Sequence, residues 1–179
     1  MKKIQSLFMR NYDGDRLVYN EILKGSEWVI NGEGVATRKW EGTSCLVKNG
    51  ILYKRYDAKH GKTPPNEFIA AQEPDLITGH WPGWLPVSNI PNDVRHNEPP
   101  IPKEDGTYEL CGEKVQGNPE RIKGHVFIKH GADIITDCPR DYDGIKNYLT
   151  SANIEGIVWH HPDGRMVKIK TKDFGLKRI

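Results

Sequence analysis

The chain has 179 residues, of which 36% are apolar, and this is enough for one compact domain with a real hydrophobic core. The 26 basic and 24 acidic side chains leave a net charge of +2, which excludes a global basic field that would attract nucleic acid or a membrane. Any site for a polyanion must therefore be a local patch.

Cysteine usage and hydropathy indicate a cytoplasmic protein. Cys45, Cys111 and Cys138 lie far apart and show no C-x-x-C spacing, so neither a disulfide framework nor a zinc cluster is predicted. The sequence has no long apolar run and no secretory signal pattern, so we expect no membrane segment.

The first predicted elements are strands between residues 27 and 57. Short runs of apolar and β-branched residues, separated by glycine or Asn-Gly, are typical of strands; they read EWVI, GVATRKW, SCLV and ILYKRY. Asn49-Gly50 is a strong signal for a two-residue hairpin, because both residues adopt positive φ at low cost. We therefore predict antiparallel pairing of residues 44–48 with 51–55.

Residues 60–105 form a proline-rich excursion. They hold nine of the twelve prolines and two of the five tryptophans, which argues against regular strand ladders and for an ordered, irregular loop with one short helix near NEFIAAQ. Loops of this length usually carry function. Trp81, Trp84, His80, Arg95 and His96 make this segment a candidate surface for single-stranded nucleic acid, with the alternative that the tryptophans only pin the loop to the core.

The second half of the chain predicts more strands and one helix. The strand-like runs are TYELCGEKV, HVFIKHG, ADIIT, IEGIVWHH and RMVKIKT, and the helix lies within RDYDGIKNYLTSAN, with Tyr142, Ile145, Tyr148 and Leu149 on one face. Hairpin connections, rather than regular β-α-β alternation, favour a single α+β domain over residues 1–179, built on antiparallel sheets.

Lys39, in the segment TRKWEGT, is either a solvated strand residue or a nucleophile. On a strand, residues i and i+2 share a face, so Lys39 and Glu41 would point into the same space. An amine attacks phosphorus only when neutral, and a single nearby carboxylate opposes deprotonation, although carboxylates also bind metal ions. Lys168 and Lys170, again at i and i+2, and the pair Lys54-Arg55 supply further cations that could bind a triphosphate.

The order of these motifs resembles the covalent nucleotidyltransferase superfamily of ATP-dependent ligases and capping enzymes. The chain is most similar to the compact RNA ligases found from phages to vertebrates, on the motifs K-W-E-G, K-R, Y-E-L-C-G-E, H-V-F, E-G-I-V and K-I-K. The resemblance covers roughly residues 27–176 and implies an antiparallel-sheet adenylation domain. Only nine residues follow Lys170, so we expect no OB domain, and this counts against a DNA ligase or a capping enzyme.

The first three motifs carry roles onto five residues by resemblance. Lys39 would be the nucleophile that becomes joined to AMP. Glu41 stands where the superfamily usually has aspartate. Arg55 would lie near the ribose or phosphate. In the third motif an acidic residue commonly contacts the ribose, and both Glu109 and Glu113 match.

The remaining motifs imply a stacking residue, a metal ligand and two phosphate-binding lysines. Phe127 would lie against the adenine, with the alternative that it is a core aromatic. Glu155 would bind a catalytic metal ion, with a sugar hydroxyl or a salt bridge as the alternatives. Lys168 and Lys170 would hold the α-phosphate and the departing pyrophosphate. The histidines show no zinc spacing, so we expect surface or hydrogen-bonding roles for them.

The resemblance thus implies an ATP-dependent and Mg²⁺-dependent RNA ligase. It would form lysyl-AMP, transfer AMP to a 5′-phosphate RNA end and join that end to a 3′-hydroxyl. Two alternatives stay open from the sequence. One keeps the covalent lysine in a DNA ligase or guanylyltransferase, and the other is a non-catalytic module that binds RNA or a nucleotide.

Overall fold

The computed structural model describes residues 1–89 and 94–179. The chain forms two compact units. Unit 1 comprises Met1–Lys3 with Glu41–His130, and unit 2 comprises Ile4–Trp40 with Gly131–Ile179. The single domain over residues 1–179 stays a prediction.

The described strands and helices are short and are connected mainly by tight turns. In chain order the strands are β1 (Gln5–Ser6), β2 (Phe8–Arg10), β3 (Val18–Ile22), β4 (Val35–Lys39), β5 (Thr43–Lys48), β6 (Ile51–Asp57), β7 (Ile69–Ala70), β8 (Pro82–Pro86), β9 (Gly106–Gly112), β10 (His125–Lys129), β11 (Gly156–His160) and β12 (Met166–Lys170). The α-helices are α1 (Glu27–Ile30), α2 (Val94–Asn97) and α3 (Tyr142–Ala152), and 3-10 turns span Val87–Asn89 and Thr171–Phe174.

Unit 1 is built on an antiparallel sheet in the order β10-β9-β5-β6-β8-β7. The predicted β5–β6 hairpin is confirmed: Asn49 and Gly50 both have positive φ, and Lys48 pairs with Ile51. One face of the sheet is apolar and forms the core of this unit, with Cys45, Val47, Leu52, Val87, Tyr108, Leu110 and Val115 buried. Alternate residues on the same strands point to the opposite face.

The proline-rich excursion is more regular than predicted. β8 pairs with β6 from Tyr53 to Asp57, so the expectation of no ladder is wrong for this part. Its prolines, Pro82 and Pro86, stand at the two ends of the strand, where a missing N–H costs least. The helix near NEFIAAQ is also wrong, since the segment contains strand β7. Residues 90–93 of the excursion lie outside the described residues.

Unit 2 contains a sheet in the order β1-β12-β11-β4, together with the β2–β3 pair. All pairings are antiparallel except that of β1 with β12. The predicted helix is confirmed as α3: Asp141 caps it by accepting a hydrogen bond from the N–H of Gly144, and Asn153 ends it in the left-handed conformation. The predicted helix face packs on the core of unit 2, with Ile145 and Leu149 fully buried.

Two predicted strands of unit 2 are wrong. The run EWVI is helix α1, which buries Trp28 and Val29; four apolar residues alone do not distinguish a strand from a buried helical turn. The run ADIIT forms one isolated bridge to Thr37 rather than a strand. It lies between the positive-φ residues Gly131 and Asp137, which interrupt extended backbone on both sides of the run.

The described chain is therefore a mixed α/β structure with antiparallel sheets and few helices. The longest described helix, α3, has 11 residues, and no helix in the described ranges is long and apolar enough to cross a membrane.

Candidate active site

One face of the unit 2 sheet carries the lysines that the sequence singled out. The apolar residues of β12 are buried in the core, so Lys168 and Lys170 project from the opposite face. Residues paired across neighbouring strands share a face, and both Lys39 of β4 and Lys170 pair with Gly156 of β11. The register therefore places these three lysines on the same face of the sheet.

Glu155 binds two of these lysines. Its Oε2 atom lies 2.5 Å from Nζ of Lys39, and its Oε1 atom lies 2.9 Å from Nζ of Lys170. Glu155 is only 8% exposed, and a buried carboxylate requires such partners. The structure thus confirms a salt bridge at Glu155, while its binding of a metal ion stays a prediction.

Gly156, next to Glu155, leaves no room for a side chain. A Cβ atom there would lie 2.1 Å from the carbonyl oxygen of Ile169 on the neighbouring strand. Any other residue would therefore force β11 and β12 apart. The glycine keeps the strands close at the point where Lys39, Glu155 and Lys170 meet.

Lys168 has a pKa lowered to about 8. The largest cause is burial, which disfavours the charged ammonium, followed by the positive charges of Lys170 and Lys39; Glu155 and Asp173 act in the opposite direction. Lys168 therefore changes its charge near physiological pH. A bound polyanion would favour its protonated form.

The turn that follows β12 is fixed by a buried carboxylate. Asp173 accepts a hydrogen bond from the backbone N–H of Lys170 at 2.9 Å and forms an ion pair with Arg10 at 2.6 Å. The N–H of Thr171 also donates to the carbonyl oxygen of Glu155 at 2.8 Å. These contacts hold the end of β12 and the start of β11 in register.

Glu41 belongs to unit 1 and lies outside the strand that carries Lys39. β4 ends at Lys39, so the strand period that predicted a shared face for Lys39 and Glu41 ends before Glu41. The backbone N–H of Glu41 donates to Oε1 of Glu120 at 2.9 Å, and the N–H of Gly42 donates to Oε1 of Glu109 at 3.1 Å. Two carboxylates thus hold consecutive peptide groups.

Glu109 and Glu113, the two candidates for ribose contact, differ in their surroundings. Glu109 is 8% exposed, and its Oε2 atom lies 2.8 Å from Nε2 of His130. Both oxygens of Glu109 therefore have partners within unit 1. Glu113 is exposed just beyond β9, so the structure favours Glu113 as the carboxylate that is accessible to a ligand.

Arg55 lies on β6 of unit 1, on the sheet face that also carries Glu109. Its guanidinium donates to the carbonyl oxygen of Met1 at 2.7 Å and lies 4.8 Å from the centre of the Trp84 ring. Burial lowers the pKa of Arg55, with a smaller opposing effect from Asp57. The structure shows a half-buried cation stacked on an aromatic ring.

Phe127 lies on the opposite face of the unit 1 sheet from Glu109. It pairs with Leu110 of β9, packs against the apolar core of this unit and meets the Tyr108 ring edge-on at 6.5 Å. The structure thus favours the core alternative for Phe127 over adenine stacking. Ile128, one residue further, pairs with Glu109 and shares its face.

The aromatic residues of the excursion are mostly structural. Trp84 is 2% exposed and His96 is buried. Trp81 meets Phe68 edge-on at 5.4 Å. These positions favour the alternative that the tryptophans pin the loop. His80 is ion-paired with Asp57 and Arg95 is exposed, so these two residues alone of the predicted surface present polar groups outward.

Sequence reasoning missed two residues of this region. Glu120 contacts Glu41 of the K-W-E-G motif, and His130 contacts Glu109, the carboxylate partner of Gly42, but no sequence spacing predicts either contact. The only signal was position: Glu120 ends the segment GNPE at residues 117–120, and His130 follows β10 directly. Within the described ranges, no group of three histidine, cysteine, aspartate or glutamate side chains could hold a metal ion.

Comparisons with known proteins all match this chain to proteins described as RNA ligase 1. A family model described as RNA ligase 1 matches residues 99–178. RNA ligase 1 of Danio rerio is 29% identical over 136 residues, which cover 55% of this chain and 42% of the relative. RNA ligase 1 of Pongo abelii is 28% identical and that of Mus musculus 26% identical, each covering 79% of this chain and 67% of the relative.

These matches support an RNA ligase family member. The RNA ligase 1 model includes the segment that carries Glu109, Glu113, Phe127, Glu155, Lys168 and Lys170, whereas Lys39, Glu41 and Arg55 precede it. The aligned part spans between 42% and 67% of the length of these relatives.

Proposed function

We propose that this chain is an ATP-dependent RNA ligase with Lys39 as its nucleophile. The observation that carries the proposal is the contact of Lys39 with Glu155, whose other oxygen binds Lys170, on a sheet face that also bears Lys168. The relatives named RNA ligase 1 support RNA as the substrate class. The antiparallel sheets with few helices are compatible with a nucleotidyltransferase fold, which forms part of the proposal.

In the first step Nζ of Lys39 attacks the α-phosphorus of ATP. The bond from this phosphorus to the bridging oxygen breaks, pyrophosphate leaves with its electron pair, and the amine releases a proton. Attack requires a neutral amine, but contact with Glu155 favours the ammonium. Glu155 must therefore loosen its hold on Lys39 when the nucleotide is bound.

Lys168 and Lys170 are the residues we propose for binding the phosphates. Their positive charges stabilise the negative charge that accumulates on the leaving oxygens. Lys170 is bound to Glu155, whereas Lys168 on the same face is partly buried beside the positive charges of Lys170 and Lys39. Because the pKa of Lys168 is lowered to about 8, a bound polyanion would favour its charged form near physiological pH.

Glu155 fits the role of a magnesium ligand only in part. Its carboxylate is a hard oxygen donor, but it is the sole acidic ligand proposed here, so phosphates and water would have to complete the coordination. Mg²⁺ usually binds through one or two carboxylates and completes its coordination with water and substrate phosphates. A bound Mg²⁺ would supply charge neutralisation on the phosphate oxygens.

The later steps transfer the nucleotide to RNA. A 5′-phosphate oxygen of RNA attacks the phosphorus of lysyl-AMP, and the bond from nitrogen to phosphorus breaks. A 3′-hydroxyl then attacks the activated 5′-phosphate, loses its proton and expels AMP. Glu41, Arg55 and Glu113 of unit 1 are proposed nucleotide contacts, whereas the positions of Glu109 and Phe127 support structural roles.

The test is a joining assay with RNA that has a 5′-phosphate and a 3′-hydroxyl, using ATP or GTP with Mg²⁺. The proposal expects joined RNA with ATP only, and no product from RNA with a 5′-hydroxyl or from Lys39→Arg. Labelling by GTP in place of ATP would support the guanylyltransferase. Preference for nicked DNA would support a DNA ligase, and binding of RNA without any covalent product would support the non-catalytic module.

A further inference from the structure

The chain just beyond Lys39 is held by two carboxylates that no motif assigned to this task. Glu120 accepts a hydrogen bond from the peptide N–H of Glu41 at 2.9 Å, and Glu109 accepts one from the next N–H, that of Gly42, at 3.1 Å. Hydrogen bonds to ionised acceptors are about twice as strong as neutral ones. We refer to Glu109 and Glu120 as the carboxylate clamp.

His130 completes the clamp. A carboxylate only accepts hydrogen bonds, so Nε2 of His130 carries the hydrogen atom. It donates a hydrogen bond to Oε2 of Glu109, and the two atoms lie 2.8 Å apart. Both oxygens of Glu109 are therefore bound, one by Gly42 and one by His130. A ribose hydroxyl would have to displace one of these partners or share an oxygen with it.

Close packing leaves the clamped peptides little freedom. A Cβ atom on Gly42 would lie 2.2 Å from the carbonyl oxygen of Leu110 and 2.8 Å from Sγ of Cys111. The thiol of Cys111 also donates to the carbonyl oxygen of Glu41 at 3.7 Å. Only glycine at position 42 permits the backbone to approach β9 closely enough for Glu109 to bind it.

We propose that Glu109 and Glu120 are positioning residues for the nucleophile segment. They fix the peptide groups of Glu41 and Gly42, and Trp40 is the only residue between these peptides and Lys39. Displacement of a reacting group by a fraction of an ångström lowers catalysis steeply, so a fixed backbone at this point favours attack by Lys39. The inference rests on the proposed role of Lys39 and assigns Glu109 to the protein backbone instead of the ribose.

Amide hydrogen exchange tests the clamp without any reliance on catalysis. In wild-type protein we expect the amides of Glu41 and Gly42 to be protected. Glu120→Ala should speed exchange at Glu41 by about tenfold or more, as removal of the hydrogen-bond acceptor predicts, and Glu109→Ala should do the same at Gly42. Glu104→Ala is the matched control, because this exposed glutamate of unit 1 is ion-paired with Lys129.

A conservative variant separates the clamp from general loss of structure. Glu120→Gln keeps a side-chain oxygen that can accept the Glu41 N–H, so protection of this amide should return to within a few-fold of the wild type. Unprotected amides in the wild type, or equal effects of Glu120→Ala at many distant amides, would overturn the proposal.

Kinetics of AMP attachment then decide whether the clamp serves Lys39. Glu120→Ala and Glu109→Ala should lower the kcat of attachment by about tenfold or more and leave the KM for ATP within about twofold, because the clamp does not bind the nucleotide. A raised KM with unchanged kcat in Glu109→Ala would restore the ribose contact and overturn the proposal. Absence of AMP attachment in the wild type would overturn the proposed function instead, and the exchange pattern would still decide the clamp.

Discussion

Glu109 in unit 1 and Glu155 in unit 2 are both 8% exposed, yet they have opposite kinds of partner. Glu109 binds a peptide N–H and a histidine, which are parts of the local framework. Glu155 binds two flexible lysine side chains, Lys39 and Lys170. Lysine side chains can exchange a carboxylate for a phosphate with little change in the backbone, whereas a peptide N–H cannot move alone.

Equal burial can therefore serve different purposes. A buried carboxylate always needs partners, but the mobility of these partners decides whether the site can bind a ligand. Glu155, with Lys39, Lys168 and Lys170 on one face, fits a site that rearranges around a nucleotide. Glu109 fits a fixed support.

Between these two carboxylates, the larger expected effect on activity is that of Glu155→Ala. Loss of this carboxylate should lower Mg²⁺-dependent AMP attachment by about 100-fold or more, as removal of one electrostatic group from an active site commonly does, while thermal stability changes much less. Glu109→Ala provides the comparison within unit 1. A loss of stability for Glu155→Ala that accounts for the whole loss of activity would make Glu155 structural.

The two glycines next to the acidic residues should be equally intolerant of a side chain. Gly156→Ala and Gly42→Ala place a Cβ within 2.2 Å of a backbone oxygen in units 2 and 1, and overpacking of this kind costs about 1–3 kcal/mol or more. Urea unfolding measures the change. Gly14→Ala, where the nearest atoms belong to the exposed side chain of Asn11, is the control and should cost clearly less.

Binding of ATP should weaken as the pH rises through 8. The pKa of Lys168 is lowered to about 8, so its charge is present below this pH and is lost above it. With wild-type protein and an ATP analogue whose α–β phosphate bridge cannot be broken, so that no covalent step occurs, the Kd should rise up to about tenfold between pH 7 and 9. Lys168→Arg keeps its charge and should flatten this dependence.

The lowered pKa of Lys168 also predicts how the free energy of unfolding depends on pH. The unfolded lysine retains its proton to about pH 10.5, so between pH 8 and 10.5 the unfolded state binds more protons than the folded state. The contribution of Lys168 to stability is therefore unfavourable below pH 8 and is relieved as the pH rises. Lys168→Met should remove this component from the pH profile of the free energy of unfolding.

The smallest expected effect is that of Phe127→Leu. Because Phe127 packs on the core face of unit 1, the substitution should lower stability by about 1 kcal/mol and leave the KM for ATP within about twofold. Ile128→Ala, on the face that carries Glu109, is the companion variant. A large rise in KM for Phe127→Leu at unchanged stability would restore the stacking role.

The sequence predicted the elements whose patterns are local and repeated. Asn49-Gly50 defined its hairpin through backbone preference, and alternation in MVKIK defined a strand with two lysines on one face. The helix α3 followed from its apolar spacing. In each case a few neighbouring residues determine the structure.

The sequence could not predict features that depend on contacts between distant residues. EWVI became helical because Trp28 and Val29 find a core in unit 2, and the proline-rich segment gained a strand because β6 offered it an edge. For the site, the lysines were predicted by motif order. The contacts of Glu120 with Glu41, 79 residues apart, and of His130 with Glu109 exist only in the fold.

The central claim is that Lys39 becomes covalently joined to AMP, and intact-protein mass tests it most directly. After release of any AMP already attached, wild-type protein and Lys39→Ala are incubated with ATP and Mg²⁺. The intact mass of each protein is then measured by mass spectrometry. The proposal predicts a gain equal to one AMP in the wild type and none in the variant. An equal gain in both proteins, or no gain in the wild type, would contradict it.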